Sequence, residues 1–214
     1  MNELIVHSSD PVVLVGGAEL GPQDINIFQT RNAIFVGVDG GADHLWAAGI
    51  VPQAVIGDLD SLSDAARSAF SKLLYKVSEQ DTVDFEKALT RVDAPIVYAI
   101  GFWGGRVDHS LAVLNVLARH ADRVVILVGP SDASRVIADK SVTYALPVGT
   151  RLSLMPMGAC NVTTTGLEWD LAAAQLAPDA AGSPSNAVAA PRVQVQTDGP
   201  LLVTVPLNFM DALI

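Results

Sequence analysis

In "AVIGDLDSL", residues 54–62, an apolar run ends in a glycine and two aspartates one residue apart. Such a run reads as a buried strand, so Asp58 and Asp60 are delivered where that strand reaches the surface. A second acidic pair, Asp81 and Asp84, lies in "SEQDTVDFEKAL". Residues i and i+2 on a loop can turn toward one point, and i and i+3 at the start of a helix share a face. Two such pairs offer the hard oxygen ligands that Mg²⁺ takes, with positions left for water and phosphate oxygens. Without a cation the same carboxylates would repel a polyanion, so the pattern makes sense with a divalent ion present. The second pair also has a plain structural explanation. "DTVD" can be a helix N-cap with a first-turn acid, and Lys87 can form an ordinary ion pair with Asp84.

A third stretch, "GFWGGRVDHSLAVL" (101–114), follows a strand and opens a helix. Gly101, Gly104 and Gly105 allow close backbone approach, and the helix N-terminus offers free N–H groups to an anion. Arg106 carries a bidentate phosphate fork. Asp108 can join the metal cluster or cap the helix, and His109 reads most simply as a partly buried structural histidine. The glycine spacing matches neither the dinucleotide fingerprint nor a Walker A loop.

The elements that must position these groups follow from periodicity. "VVLVGG" (12–17), "AIFVGVDGG" (33–41), "AVIGD" (54–58), "PIVYAIG" (95–101) and "RVVILVG" (123–129) are short, continuously apolar runs, as in strands buried on both faces of a parallel sheet. Between them lie helical spacings: Ala65, Ala66, Ala69, Phe70, Leu73 and Leu74 on one face, and Leu111, Leu114 and Leu117 on another. Strands alternating with helices predict an N-terminal three-layer α/β domain with a mostly parallel sheet, whose ligands gather beyond the carboxyl ends of the strands. After about residue 140 the pattern turns to strand-like pieces with turn signals, predicting a small C-terminal antiparallel β-sandwich. The division is expected at 1–138 and 139–214. Asp198-Gly199 reads as a hairpin turn, and 177–191, rich in Ala, Pro, Ser and Gly, as an exposed loop.

Composition narrows the classes. The 214 residues suffice for one large or two small domains. No apolar run approaches the roughly 20 residues that span a bilayer, and no basic segment precedes an apolar one as in a signal peptide. A single cysteine, Cys160, fits a reducing cytoplasm. A formal net charge of −10 argues against a non-specific nucleic-acid or anionic-membrane surface.

Taken together, "VDGGADHLWAAGIVPQAVIGDLDSL", "DTVDFEKAL", "GGRVDHSLAVLNVL", "TTTGLEW" and "GSPSN" resemble, in order and spacing, the thiamine pyrophosphokinase family over about residues 36–186. The resemblance implies Mg²⁺-dependent transfer of a pyrophosphoryl group from ATP to the hydroxyl of thiamine, giving thiamine diphosphate and AMP. It implies a homodimer with active sites at the interface. It makes Asp58, Asp60 and Asp84 the metal ligands, with Asp81 a further candidate, and Arg106 and Asp108 contacts to phosphate, metal or substrate. Asp39, Gln80, Asp81, Lys87, Gly105 and His109 fall around ATP, and Trp169, Ser183, Ser185 and Asn186 around thiamine. Trp169 has a plain alternative as a core aromatic. Four positions depart from the family pattern: Val83 stands where a threonine is usual, Asp43 and His44 where Asn and Arg are common, and Val203 where relatives can have Trp.

Other readings stay open. "IGDLDS" also approximates the strand end of Asp-nucleophile phosphatases, though no matching later lysine and acid pair is found. A pyrophosphokinase for another alcohol, such as a pterin, and a non-catalytic ligand-binding protein on the same fold complete the set. Either Asp84 or Asp108 could accept the hydroxyl proton.

Overall fold

The computed structural model describes residues 3–214. The chain divides into two compact units, one running to Val116 and taking up Leu127–Gly129, the other made of Leu117–Ile126 and Pro130–Ile214.

The first unit follows the order β1 (Val6–His7), β2 (Val12–Val15), α1 (Pro22–Gln29), β3 (Ile34–Val38), α2 (Gly41–Ala47), β4 (Ala54–Gly57), α3 (Asp64–Ala69), β5 (Leu74–Lys76), α4 (Asp84–Leu89), β6 (Val92–Asp93), β7 (Val97–Ile100) and the start of α5 (Val107–Arg119). Five strands pair in parallel in the order β7-β2-β3-β4-β5, and β1 pairs with β6 apart from them. All of β2, β4 and β7 is buried, as continuous apolar runs require of strands covered on both faces. The strand order reverses at β2, and the carboxyl ends beside such a reversal form a crevice.

The helix faces differ in detail from the expected ones. Around α3, Ala65 and Ala69 are exposed. Leu62, Ala66 and Phe70, four residues apart, instead join Ala42, Val55 and Leu59 in one core cluster, with Leu73 and Leu74 against it. On α5, Leu111 is 60% exposed while Val113, Val116 and Leu117 are buried. The buried stripe runs through Ser110, Val113 and Leu117 at three- and four-residue steps, which turns Leu111 to solvent.

After β8 (Val125–Val128), whose residues are shared between the units, come β9 (Asp132–Ile137), β10 (Lys140–Ala145), β11 (Arg151–Pro156), β12 (Cys160–Thr165), β13 (Ala174–Leu176), β14 (Ser183–Ala187), β15 (Arg192–Thr197), β16 (Leu201–Pro206) and a 3₁₀ helix, Leu207–Leu213. Antiparallel runs β14-β11-β16-β9 and β10-β15-β12-β13 make a sandwich. Strict alternation of burial along β12, β15 and β16 marks the inner faces.

Two expectations are corrected here. Asp198-Gly199 does not close a hairpin: β15 pairs with β10 and β12, whereas β16 pairs with β11 and β9, so the turn carries the chain from one layer to the other. The Asp198 carboxylate accepts from Asn161 N (2.6 Å) and Nδ2 (2.7 Å), and a Cβ on Gly199 would sit 2.7 Å from the Ala159 carbonyl oxygen. The span 177–191 is not all loop, because Ser183–Ala187 pairs with β11 across a register irregularity between Leu152 and Leu154. "SPSNA" has no apolar alternation to announce a strand.

Candidate active site

Asp39 follows β3 directly and takes a positive φ of +46°. The next turn opens α2 at Gly41, where a Cβ would run into the Val15 carbonyl oxygen. Gly57, the glycine inside "IGDLD", ends β4 against Asp39: a Cβ there would lie 3.0 Å from the Asp39 Cβ. The loop after β4 then turns at Leu59, whose φ is +67°. A leucine in that region costs about 1–3 kcal/mol. The conformation is held because the Leu59 side chain is 5% exposed in the α2–α3 core cluster, and because the Arg67 guanidinium donates to the Leu59 carbonyl. Flanking this turn, Asp58 accepts at Oδ1 from Asp60 N (3.3 Å), and Asp60 accepts at Oδ1 from the Ser61 hydroxyl (2.9 Å).

The result is a group of three carboxylates, Asp39, Asp58 and Asp60, with one oxygen of each within 4.8 Å of the others. Asp39 is 8% exposed, and its Oδ1 is buried without a hydrogen-bond partner. Burial holds its carboxyl above the usual range; the Ser61 hydroxyl opposes that rise, and the charges of Asp84 and Asp58 add to it. An orphaned buried oxygen is costly in isolation. An all-oxygen donor set with a spare buried lone pair suits a hard divalent cation such as Mg²⁺.

Asp84 is the first residue of α4 and stands beside this group rather than in it: its Oδ1 is 3.0 Å from Lys87 Nζ, and that ammonium lies 3.9 Å from Asp58 Oδ2. The resemblance implies Asp58, Asp60 and Asp84 as the ligands; the three that converge are Asp58, Asp60 and Asp39, a residue the resemblance puts at the nucleotide. Lys87 is 3% exposed and faces the acids. The N-cap of α4 is Val83, which gives no side-chain hydrogen bond, so neither Asp81 nor Asp84 serves as the cap. Gln80 and Asp81 are exposed in the preceding loop. That loop is organised by Glu79, which no motif in the sequence marks: its carboxylate accepts from the Asp81 N (2.8 Å), the Thr82 N (3.0 Å) and the Thr82 hydroxyl. Those donors, the Thr82 hydroxyl foremost, hold the Glu79 carboxyl below its usual range.

Beyond β7, Gly104, Gly105, Arg106 and His109 are all exposed, and Phe102 packs its ring 4.7 Å from that of Phe85 on α4. Arg106 spends its fork on Asp108, Nε to Oδ1 at 3.1 Å and Nη2 to Oδ2 at 2.6 Å, which lowers the Asp108 carboxyl below its usual range. Asp108 is therefore paired at the start of α5 and is not among the converging carboxylates. The unusual Asp43 and His44 have structural uses: Asp43 accepts from the Ser63 N (3.2 Å) and hydroxyl, bracing the start of α3, and His44 Nε2 meets the Ala18 carbonyl oxygen at 3.0 Å.

In the second unit Trp169 is 66% exposed, so it is no core aromatic. Asn186, 2% exposed, holds the backbone beneath it: Oδ1 accepts from Trp169 N (3.3 Å) and Ala187 N (2.9 Å), while Nδ2 donates to Trp169 O (2.8 Å) and Ser183 Oγ (3.2 Å). Ser185 is exposed with φ +58°, its N–H given to Ser153 Oγ at 3.0 Å. Asp170, likewise outside any motif, accepts from the Thr164 hydroxyl and from the Gly166 and Leu167 N–H groups at 3.0–3.1 Å, and so fixes the turn that carries Trp169. Trp169, Ser183 and Asn186 thus share one hydrogen-bonded patch.

A parallel α/β unit with carboxylates converging at its strand ends, followed by a β-sandwich, defines a class of two-unit proteins with a centre suited to a divalent cation. The chain belongs to the thiamin pyrophosphokinase family: the family's catalytic-domain model matches residues 26–128 and its vitamin B1 binding-domain model residues 140–202. It is 30% identical over 178 residues to thiamine pyrophosphokinase 2 of Oryza sativa subsp. japonica, covering 74% of this chain and 66% of that one, and 30% identical over 112 residues to the thiamine pyrophosphokinase of Bacillus subtilis (strain 168), covering 49% and 52%. The match thus spans about two thirds of the length of the rice relative. In fold it is similar to thiamin pyrophosphokinases of Geobacillus thermodenitrificans (TM-score 0.78, 24% identity, 92% of this chain and 96% of that one) and Candida albicans (TM-score 0.79, 16% identity, 94% and 92%).

Proposed function

We propose that this chain is a Mg²⁺-dependent thiamine pyrophosphokinase, transferring the pyrophosphoryl group of ATP to the hydroxyl of thiamine and releasing AMP. The observation that carries the reading is the convergence of Asp39, Asp58 and Asp60 around the unpartnered Asp39 oxygen, within a chain that two models of this family match. These three would hold the ion, with Asp84 beside them. Bound there, Mg²⁺ would neutralise phosphate charge and, as a Lewis acid, polarise phosphoryl oxygens.

The remaining work falls to this chain's own side chains and backbone. Phosphoryl transfer needs alignment and charge stabilisation more than a strong base. The N–H groups opening α5, a helix of 13 residues, favour phosphate oxygens. Arg106 can turn its fork from Asp108 to the same oxygens, because the pair is exposed and exchanges readily. Gln80, Asp81, Gly105 and His109, all exposed around these loops, are proposed nucleotide contacts. Asp108 is a weak proton acceptor while Arg106 holds it, and becomes a better one once Arg106 leaves. Asp84, tied to Lys87, is the other candidate.

We assign nucleotide and metal to residues 1–138 and thiamine to 139–214, with the exposed Trp169 ring stacking on the thiamine rings and Ser183, Ser185 and Asn186 shaping the pocket. A homodimer with active sites at its interface follows from the family resemblance. A cytoplasmic location fits the single buried cysteine, Cys160; among the described residues no helix is long and apolar enough to cross a membrane. The test is AMP formation from ATP and Mg²⁺ with thiamine set against other alcohols. Thiamine-dependent AMP supports the reading. Inorganic phosphate as the product would point to a phosphatase, and AMP formed only with a different alcohol would move the substrate.

A further inference from the structure

A lysine ammonium buried to 3% exposure stands out in a metal centre built from acids. Lys87 lies one turn into α4, and its Nζ reaches carboxylates from two different elements: Asp84 Oδ1 on α4 at 3.0 Å and Asp58 Oδ2 on the loop after β4 at 3.9 Å. Asp39, Asp58, Asp60 and Asp84 bring four carboxyl groups to this region, and Asp84 and Asp58 both act electrostatically on the buried Asp39. Like charges gathered out of water repel strongly, and one ammonium between two of them relieves part of that repulsion. Asp58 therefore has two claims on it, since it stands within reach of Lys87 and within the converging group. An ammonium and a divalent cation sharing one carboxylate oppose each other.

We propose that Lys87 is a positioning residue, an internal counter-cation that keeps the acids assembled before metal binds and yields Asp58 when it does. This inference rests on the metal-centre reading above. Its consequence is that Lys87 holds the affinity for free divalent ion low, so that the ion is taken up together with the phosphates of ATP rather than ahead of them. A direct phosphate contact would instead require the ammonium to leave both acids and its buried position.

The test uses Mn²⁺ alone, titrated into the intact chain and followed by electron paramagnetic resonance of the free ion, with thermal unfolding in EDTA and in Mn²⁺ alongside. Lys87→Met and Lys87→Gln should each bind Mn²⁺ about tenfold more tightly than wild type, the scale of one unit charge removed a few ångströms away in a partly wet site. Both should unfold several degrees lower in EDTA and recover most of that loss in Mn²⁺. Lys87→Arg, which keeps the charge, should stay within about twofold of wild type. The glutamine variant carries the test should the methionine variant not fold. Mn²⁺ affinity unchanged or weakened in Lys87→Gln, or a loss of melting temperature equal in EDTA and Mn²⁺, overturns the inference while leaving the metal centre standing. Failure of the wild type itself to bind Mn²⁺, with or without ATP, would remove both.

Discussion

The carboxylate centre of the α/β unit and the Trp169 patch of the β unit solve opposite problems. At the first, polar groups are left short of partners: Asp39 Oδ1 is buried and unpaired, and Asp39 and Leu59 hold left-handed backbone. At the second, a single buried amide makes four hydrogen bonds to three neighbours, and the large aromatic ring is left in solvent. An unmet acceptor is tolerated where a ligand is to complete the site. Full internal pairing is the better design where a surface must be presented rigidly. The contrast predicts that changes in the first region are felt mainly in function and changes in the second first in stability.

The largest effect should come from Asp58→Asn or Asp60→Asn. Each removes a converging charge and should lower turnover by two or more orders of magnitude, with the melting temperature little changed because both groups are at least partly exposed. Steady-state AMP production and a thermal melt on the same samples check both halves. Asn186→Ala should reverse the order of effects. With the Trp169 and Ala187 backbone groups left unpaired, it should cost about 2–3 kcal/mol in denaturant unfolding and raise the KM for thiamine more than it lowers kcat. Val83→Thr sharpens the comparison from the other side. It places a capping hydroxyl at the bare N-cap of α4 and should add about 1 kcal/mol of stability without weakening activity.

The smallest effect concerns pH. Asn161, through its side chain and N–H, holds the exposed Asp198 carboxyl below its usual range. A depressed folded-state value means stability that is present above the unfolded pKa and lost as pH falls through the folded one. Asn161→Ala keeps the backbone donor and loses the side-chain one, so its melting temperature should lie slightly below wild type at pH 7. The gap should close below about pH 4, as the carboxyl protonates in both.

Much of this was readable in the residues, and the rest was not for definite reasons. The continuously apolar runs announce β2, β3, β4 and β7, because full burial leaves no polar alternation, and the aspartates at their ends announce the chemistry. Asp39 was visible as a pocket residue, but its membership in the carboxylate group depends on a positive φ and on the close approach of Gly57, neither of which periodicity encodes. β14 was hidden because "SPSNA" is polar and pairs through backbone groups across an irregular register. The Asp198-Gly199 turn was legible as a turn, yet which sheet its strands join is decided by pairing across distant sequence. Val83 is visible in the sequence as a departure, but that it sits at the N-cap of α4 without a side-chain cap is a property of the fold.

The proposed chemistry requires the acids at the ends of β3 and β4 to hold one divalent ion. Anomalous diffraction from crystals grown with Mn²⁺ and a non-hydrolysable ATP analogue tests this directly. The predicted result is a manganese peak ligated by Asp39, Asp58 and Asp60, with Asp84 beside them and phosphate oxygens completing the shell. A peak held by other residues, or a bound nucleotide with no metal between its phosphates and these three carboxylates, would contradict it.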